Sequence, residues 1–154
     1  MYKKMLIPTD GSDFSRSVTL AGVEFARQIE AEIVGLFVAP EFQHPVYVEI
    51  LPPNYPSDQE YRDSMRQAGE AYLLDMQNAA QTAGLTFSHE IVFSDLIAQQ
   101  IAYTAQDLRC DLIFMGSHGR SGWGQLLLGS VTTKVLSICD IPVLVHRIKH
   151  PPTA

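Results

Sequence analysis

The stretch Leu112-Ile-Phe-Met115 followed by Gly116-Ser-His-Gly119-Arg-Ser-Gly-Trp-Gly-Gln-Leu-Leu-Leu-Gly129-Ser130 decides how this chain folds. The short apolar run predicts a buried strand. The segment Ser130 to Ser137 predicts a helix, with Val131, Val135 and Ile138 spaced for one buried face. Five glycines lie between the two. A strand, a glycine-rich loop and a helix start make a phosphate cradle from main chain alone. Glycine lets an anion approach closely, and the first turn of a helix carries N–H groups with no intrahelical acceptor.

Two common phosphate motifs fail here. Gly124 and Gly129 have P-loop spacing, but Ser130 stands where the phosphate-binding lysine belongs. Gly122-Trp-Gly124 lacks the third glycine of a dinucleotide fingerprint. What remains is Gly116-x2-Gly119-x9-Gly129-Ser130.

Working outward, Lys4 to Asp10 predicts a first strand, and Ser12 caps a helix carrying Phe14, Val18, Ala21, Phe25 and Ile29 on one face. Ile33 to Val38 is a second strand. A long helix marked by Tyr61, Met65, Ala68, Tyr72, Met76, Ala79 and Ala83 ends at Gly84. Its aromatic and methionine stripe is a core face, not a cofactor box. Thr86 to Phe93 is a third strand, Ser94 caps a helix whose inner face is Ile97, Ile101, Thr104 or Ala105, and Leu108, and Pro142 to His146 is the fifth strand.

Strict alternation of strands and helices predicts an α/β fold, one five-stranded parallel sheet with helices on both faces. In the Rossmann-like order 3-2-1-4-5 the winding reverses between strands 1 and 4, and ligands bind outside the strand ends at that switch point. Pro8-Thr9-Asp10 and Gly116 would then face one crevice.

The 154 residues make a single domain, 1–148, with a tail at 149–154 expected to fray. Residues 40–58 form an insertion with five of the nine prolines, either a functional lid or a poorly ordered segment. The balance of 11 basic against 17 acidic residues, without long basic clusters, argues against nucleic acid or an anionic membrane as partner. Cys110 and Cys139 form no C-x-x-C pair and fit free thiols in a reducing compartment. With no signal peptide or membrane span in view, the expected location is cytoplasmic. His44, His89, His146 and His150 are scattered and make no metal site.

The glycine pattern, together with Leu127-Leu-Gly-Ser-Val and Ile141-Pro-Val-Leu-Val in that order, resembles the ATP-binding signature of the universal stress protein family. That family has the same five-stranded fold, which is also adenine nucleotide alpha hydrolase-like. The resemblance implies that Gly119, Gly129, Ser130 and Val131 offer N–H groups to phosphates, with hydroxyls from Ser130 and Thr132. It puts Met115 and Gly116 beside the ribose and phosphates. Pro8, Thr9 and Asp10 fall on the nucleoside side, with Asp10 accepting from base or sugar or helping to hold Mg²⁺ through water. The main chain of Val38 meets adenine. His118 and Arg120, inside the loop, could reach a phosphate or stand in solvent. Each has a plainer structural use: the glycines turn a loop, Ser130 caps a helix, Asp10 bonds its own turn, and Val38 fills the sheet core.

The function implied is a regulatory module binding ATP, or ADP or AMP, in the stress response, paired as a homodimer through the open Pro142–His146 edge. The alternatives are a slow ATPase or autophosphorylating enzyme, a nucleotide-free partner-binding protein, and a flavodoxin-like FMN protein. Missing the P-loop lysine and a second carboxylate, the chain carries no catalytic set for fast phosphoryl transfer. Ser94-Asp95-Leu96 departs from the family's Gly-x-Pro turn after strand 3.

Overall fold

The computed structural model describes residues 1–46, 49–118 and 128–148. The elements are β1 (Lys4–Thr9), α1 (Asp13–Ile29), β2 (Glu32–Ala39), α2 (Asp58–Thr82), β3 (Phe87–Phe93), α3 (Ile97–Asp107), β4 (Leu112–Gly116), α4 (Ser130–Ile138) and β5 (Val143–His146). The strands form one sheet in the order β3-β2-β1-β4-β5, all parallel. Both the topology and the expected strand order are therefore as the alternation implied.

Strand side chains alternate between two cores because successive residues point to opposite faces. Met5, Ile7, Ile33, Phe37, Leu112 and Phe114 pack with α1 and α2 residues such as Val18, Ala26, Leu73 and Met76. Leu6, Val34, Leu36, Val38, Ile113 and Met115 pack with Ala98, Ile101, Ala105 and Val135 of α3 and α4. Strands buried on both faces read as continuous apolar runs.

The sheet opens where the site lies. β1 pairs with β2 as far as Thr9↔Phe37, yet with β4 only at Met5↔Leu112 and Leu6↔Ile113. Pro8, on the same edge of β1 as Leu6, has no N–H to continue that ladder. At the opposite end the Asp111 carboxylate pins the register, accepting from the N–H groups of Lys3 at 2.8 Å and Lys4 at 3.0 Å.

Three helices are set differently from their periodicity. In α2 the deepest residues are Gly69, Leu73, Met76 and Ala80, so Tyr61, Met65 and Tyr72 sit on the shoulder of the buried face. In α3 Ala98 takes the inner position expected of Ile97, which is 36% exposed. Ser94 does not cap this helix. Leu96 is the N-cap without a side-chain bond, and the Ser94 hydroxyl accepts the Leu96 N–H at 3.1 Å in a turn before it. In α4 Thr132 and Val135 are buried while Ile138 is exposed at 41%. A hydrophobic spacing defines a stripe on a helix, but the neighbours it meets decide where on that stripe the centre falls.

Of the insertion, the described part is anchored. Phe42 lies 4.9 Å from the ring of His44, 5.5 Å from Tyr61 and 6.1 Å from Tyr55, and the Tyr61 hydroxyl donates to the Pro40 carbonyl at 2.7 Å. Arg62 reaches Glu41 at 3.0 Å and stacks over Phe93 at 4.7 Å. Tyr47, Val48 and the tail 149–154 lie outside the described residues.

Candidate functional site

At the carboxyl ends of β1, β2 and β4 lies a cavity of about 500 Å³. Its lining includes Pro8, Thr9, Asp10, Val38, Met115, Gly116, His118, Gly129, Ser130, Val131 and Thr132. Eleven of the thirteen residues singled out in the sequence thus surround one space. The other two, Gly119 and Arg120, lie outside the described residues, as does Trp123.

One wall is the start of α4. Its first intrahelical bond runs from the Thr133 N–H to the Gly129 carbonyl at 3.0 Å, and the N–H of Gly129 is spent on the Ser117 carbonyl at 2.6 Å. That leaves the N–H groups of Ser130, Val131 and Thr132 ahead of the helix ladder, at its positive end. Gly129 therefore serves the turn and the close approach, not as a donor. Nor is the Thr132 side chain a donor to the cavity, since its hydroxyl donates to the Gly116 carbonyl at 2.8 Å. Three amides at a helix start can hold an anion without any net positive charge. They are needed here: no Lys or Arg occurs among the described lining residues.

The second wall is the turn after β1. Asp10 Oδ1 accepts from the Ser12 N–H at 2.9 Å and its hydroxyl at 2.6 Å, while Ser12 caps α1 by accepting the Ser15 N–H at 3.1 Å. The plainer use of Asp10, bonding its own turn, is realised in full. Gly11 has φ +77°, and a Cβ there would run into the Tyr72 ring. Gly116 is as tightly enclosed: a Cβ would lie 2.9 Å from Val18 and 3.0 Å from Phe14.

Beside the loop, His118 Nδ1 is 2.9 Å from the Ser117 hydroxyl, and its ring meets Phe14 edge-on at 6.4 Å. The other ring nitrogen, Nε2, is buried and has no hydrogen-bond partner among the described residues.

The remaining wall is apolar: Leu36, Phe37, Pro40, Met65, Tyr72, Ile97 and Ile101. None of these was legible as a site residue. Met65 and Tyr72 belong to the stripe expected to be core, and indeed pack on it, but their position on the shoulder of α2 also turns them towards the cavity. Ser15 was missed as well, though its helical position one turn beyond the cap Ser12 could have signalled it. Such a space, apolar with a few convergent polar groups, suits a small organic anion. Asp10 is the one carboxylate among its described lining residues, and no described group of three or more His, Cys, Asp or Glu could hold a metal ion.

The model of the Universal stress protein family matches residues 1–147. Universal stress protein YxiE of Bacillus subtilis is 32% identical, with 96% of this chain and all of that protein covered. Universal stress protein MJ0531 of Methanocaldococcus jannaschii is 30% identical, over 96% of this chain and 83% of that protein. Among solved structures, MJ0577 of the same archaeon superposes with a TM-score of 0.79 at 26% identity, covering 98% of this chain and 99% of that one. The fold is also that of a universal stress protein solved with cAMP (TM-score 0.62, 23% identity, 94% and 95% covered). An Arabidopsis thaliana family member with AMP bound shares it too (TM-score 0.63, 16% identity, 96% and 92% covered).

Proposed function

Because this chain belongs to the universal stress protein family, we propose that it is a regulatory module which holds an adenine nucleotide, ATP foremost, in the crevice between β1 and β4. The carrying observation is that the three N-terminal amides of α4 and the β1 turn open on one cavity, though over a hundred residues of sequence separate them. Phosphates lie against the N–H groups of Ser130, Val131 and Thr132. The base enters the apolar end, where Leu36, Ile97 and Ile101 line the wall and the Val38 main chain supplies polarity. Solved relatives of the same fold that carry AMP and cAMP support this chemistry.

Mg²⁺ fits as a companion of the phosphates. It keeps most of its shell as water and phosphate oxygen and needs only one or two carboxylates, and Asp10 stands at the cavity. The nucleotide is bound to be sensed, not turned over quickly, since one carboxylate and no described cation give little with which to stabilise a transferring phosphoryl group. The working unit is a cytoplasmic homodimer that responds to stress. Its pairing surface is the open edge of β5, the last strand of the sheet. The two free cysteines fit a reducing compartment. Among the described residues no helix is long and apolar enough to cross a membrane.

Mass spectrometry of small molecules released from freshly purified protein, followed by calorimetric titration with ATP, ADP and AMP, tests this reading. An adenine nucleotide is expected in the released fraction. Binding is expected to be lost in Gly129→Val, whose side chain would stand in the cradle. Protein that releases no nucleotide and gives no binding heat with any of the three would refute it.

A further inference from the structure

We propose that the hydroxyl pair of Thr9 and Ser15 reads the sugar of the bound nucleotide, making the site selective for ribose over deoxyribose. This rests on the nucleotide reading above and deepens it.

The argument is a count of protons. Thr9 Oγ1 and Ser15 Oγ are 3.0 Å apart and share one hydrogen bond. Thr9 Oγ1 also accepts the Gly11 N–H at 3.2 Å, and Ser15 Oγ accepts the Asp10 N–H at 3.2 Å. A hydroxyl carries one proton and two acceptor positions. If Thr9 donates to Ser15, both acceptor positions of Ser15 are filled and its own proton is left over. If Ser15 donates, the leftover proton is that of Thr9. In either arrangement one proton is left over, and neither hydroxyl makes a further hydrogen bond among the described residues. The oxygen bearing it is over nine-tenths buried, Thr9 being 8% and Ser15 9% exposed, and both residues line the cavity. A buried donor left unmade is expensive, so the occupant of the cavity is expected to bring an acceptor.

Position says which part of a nucleotide that acceptor belongs to. Thr9 ends β1, which lies between β2 and β4 in the sheet. The phosphate amides follow β4, and the apolar wall for the base lies at the end of β2. What passes over β1 is the sugar that joins base to phosphate. A ribose hydroxyl offers the oxygen required, whereas a deoxy position offers only C–H.

The test is calorimetric titration of the full chain with ATP, 2′-deoxy-ATP and 3′-deoxy-ATP, each with Mg²⁺. The wild type is expected to bind ATP about tenfold more tightly than one of the two deoxynucleotides, the loss of a single well-buried hydrogen bond. In the double variant Thr9→Val/Ser15→Ala, which removes both hydroxyls, that ratio is expected to fall to about one. Thr9→Ser, which retains the hydroxyl, is expected to keep it. Equal affinity of the wild type for all three nucleotides overturns the sugar reading alone, and so does a ratio that survives the double variant Thr9→Val/Ser15→Ala. A wild type that binds none of them overturns the nucleotide site itself.

Discussion

The hydroxyl of Thr132 donates to the carbonyl of Gly116 across 2.8 Å, tying the first turn of α4 to the last residue of β4. Both ends of the glycine loop are thereby held at the cavity. Removing the donor in Thr132→Val would leave the half-buried Gly116 carbonyl short of a partner, costing about 1 kcal/mol. Urea denaturation should register that loss, and ATP affinity should fall with it as the amides lose their aim. Thr132→Ser should be close to wild type in both.

Gly11→Ala is expected to damage stability and binding together. The residue needs φ +77°, and its Cα is covered by the Tyr72 ring, which also meets Phe37 edge-on at 5.3 Å. Backbone strain and overpacking sum to about 1–3 kcal/mol. A thermal melt should fall by several degrees, at roughly 2–4 °C per kcal/mol for a chain of this size. A melt unchanged from wild type would contradict the packing described.

Phe42 is the hub of the aromatic cluster that anchors the described part of the insertion. Phe42→Ala should loosen that segment, increasing the rate at which chymotrypsin cuts within residues 40–58. The melting temperature should move little, because the cluster lies outside both cores. Equal cutting rates in variant and wild type would mean that the cluster does not hold the segment.

Burial raises the Cys110 thiol from its ordinary 9.0 to about 11. Native protein should therefore leave Cys110 unlabelled by iodoacetamide at pH 8, with full reaction only after denaturation. The sign of the linked stability follows. The native state keeps the proton longer than the unfolded chain, so this contribution is intact below pH 9 and is lost as pH rises from 9 towards 11. Denaturant midpoints compared at pH 8 and pH 10 should fall with pH, and the Cys110→Ala variant should show a smaller fall.

Much of this molecule was determined by local sequence alone. Apolar runs such as Ile33–Val38 and Leu112–Met115 could only be strands buried on both faces, and their alternation with amphipathic segments left a doubly wound parallel sheet as the solution. The glycines ahead of Ser130 announced a helix start able to meet an anion, because that property is carried by the main chain and needs no distant partner. Tertiary structure decided what each polar group is left free to do. Gly129 and Thr132 both looked like donors, but their hydrogens go to Ser117 and Gly116, and Ser15 lines the cavity with its hydroxyl bonded to Thr9. A hydrogen bond consumes a donor completely, and which acceptor consumes it depends on segments brought together by packing. Spacing along a chain carries no record of that, nor of the slight rotation by which Met65, Tyr72 and Ile97 turn from core stripe to cavity wall.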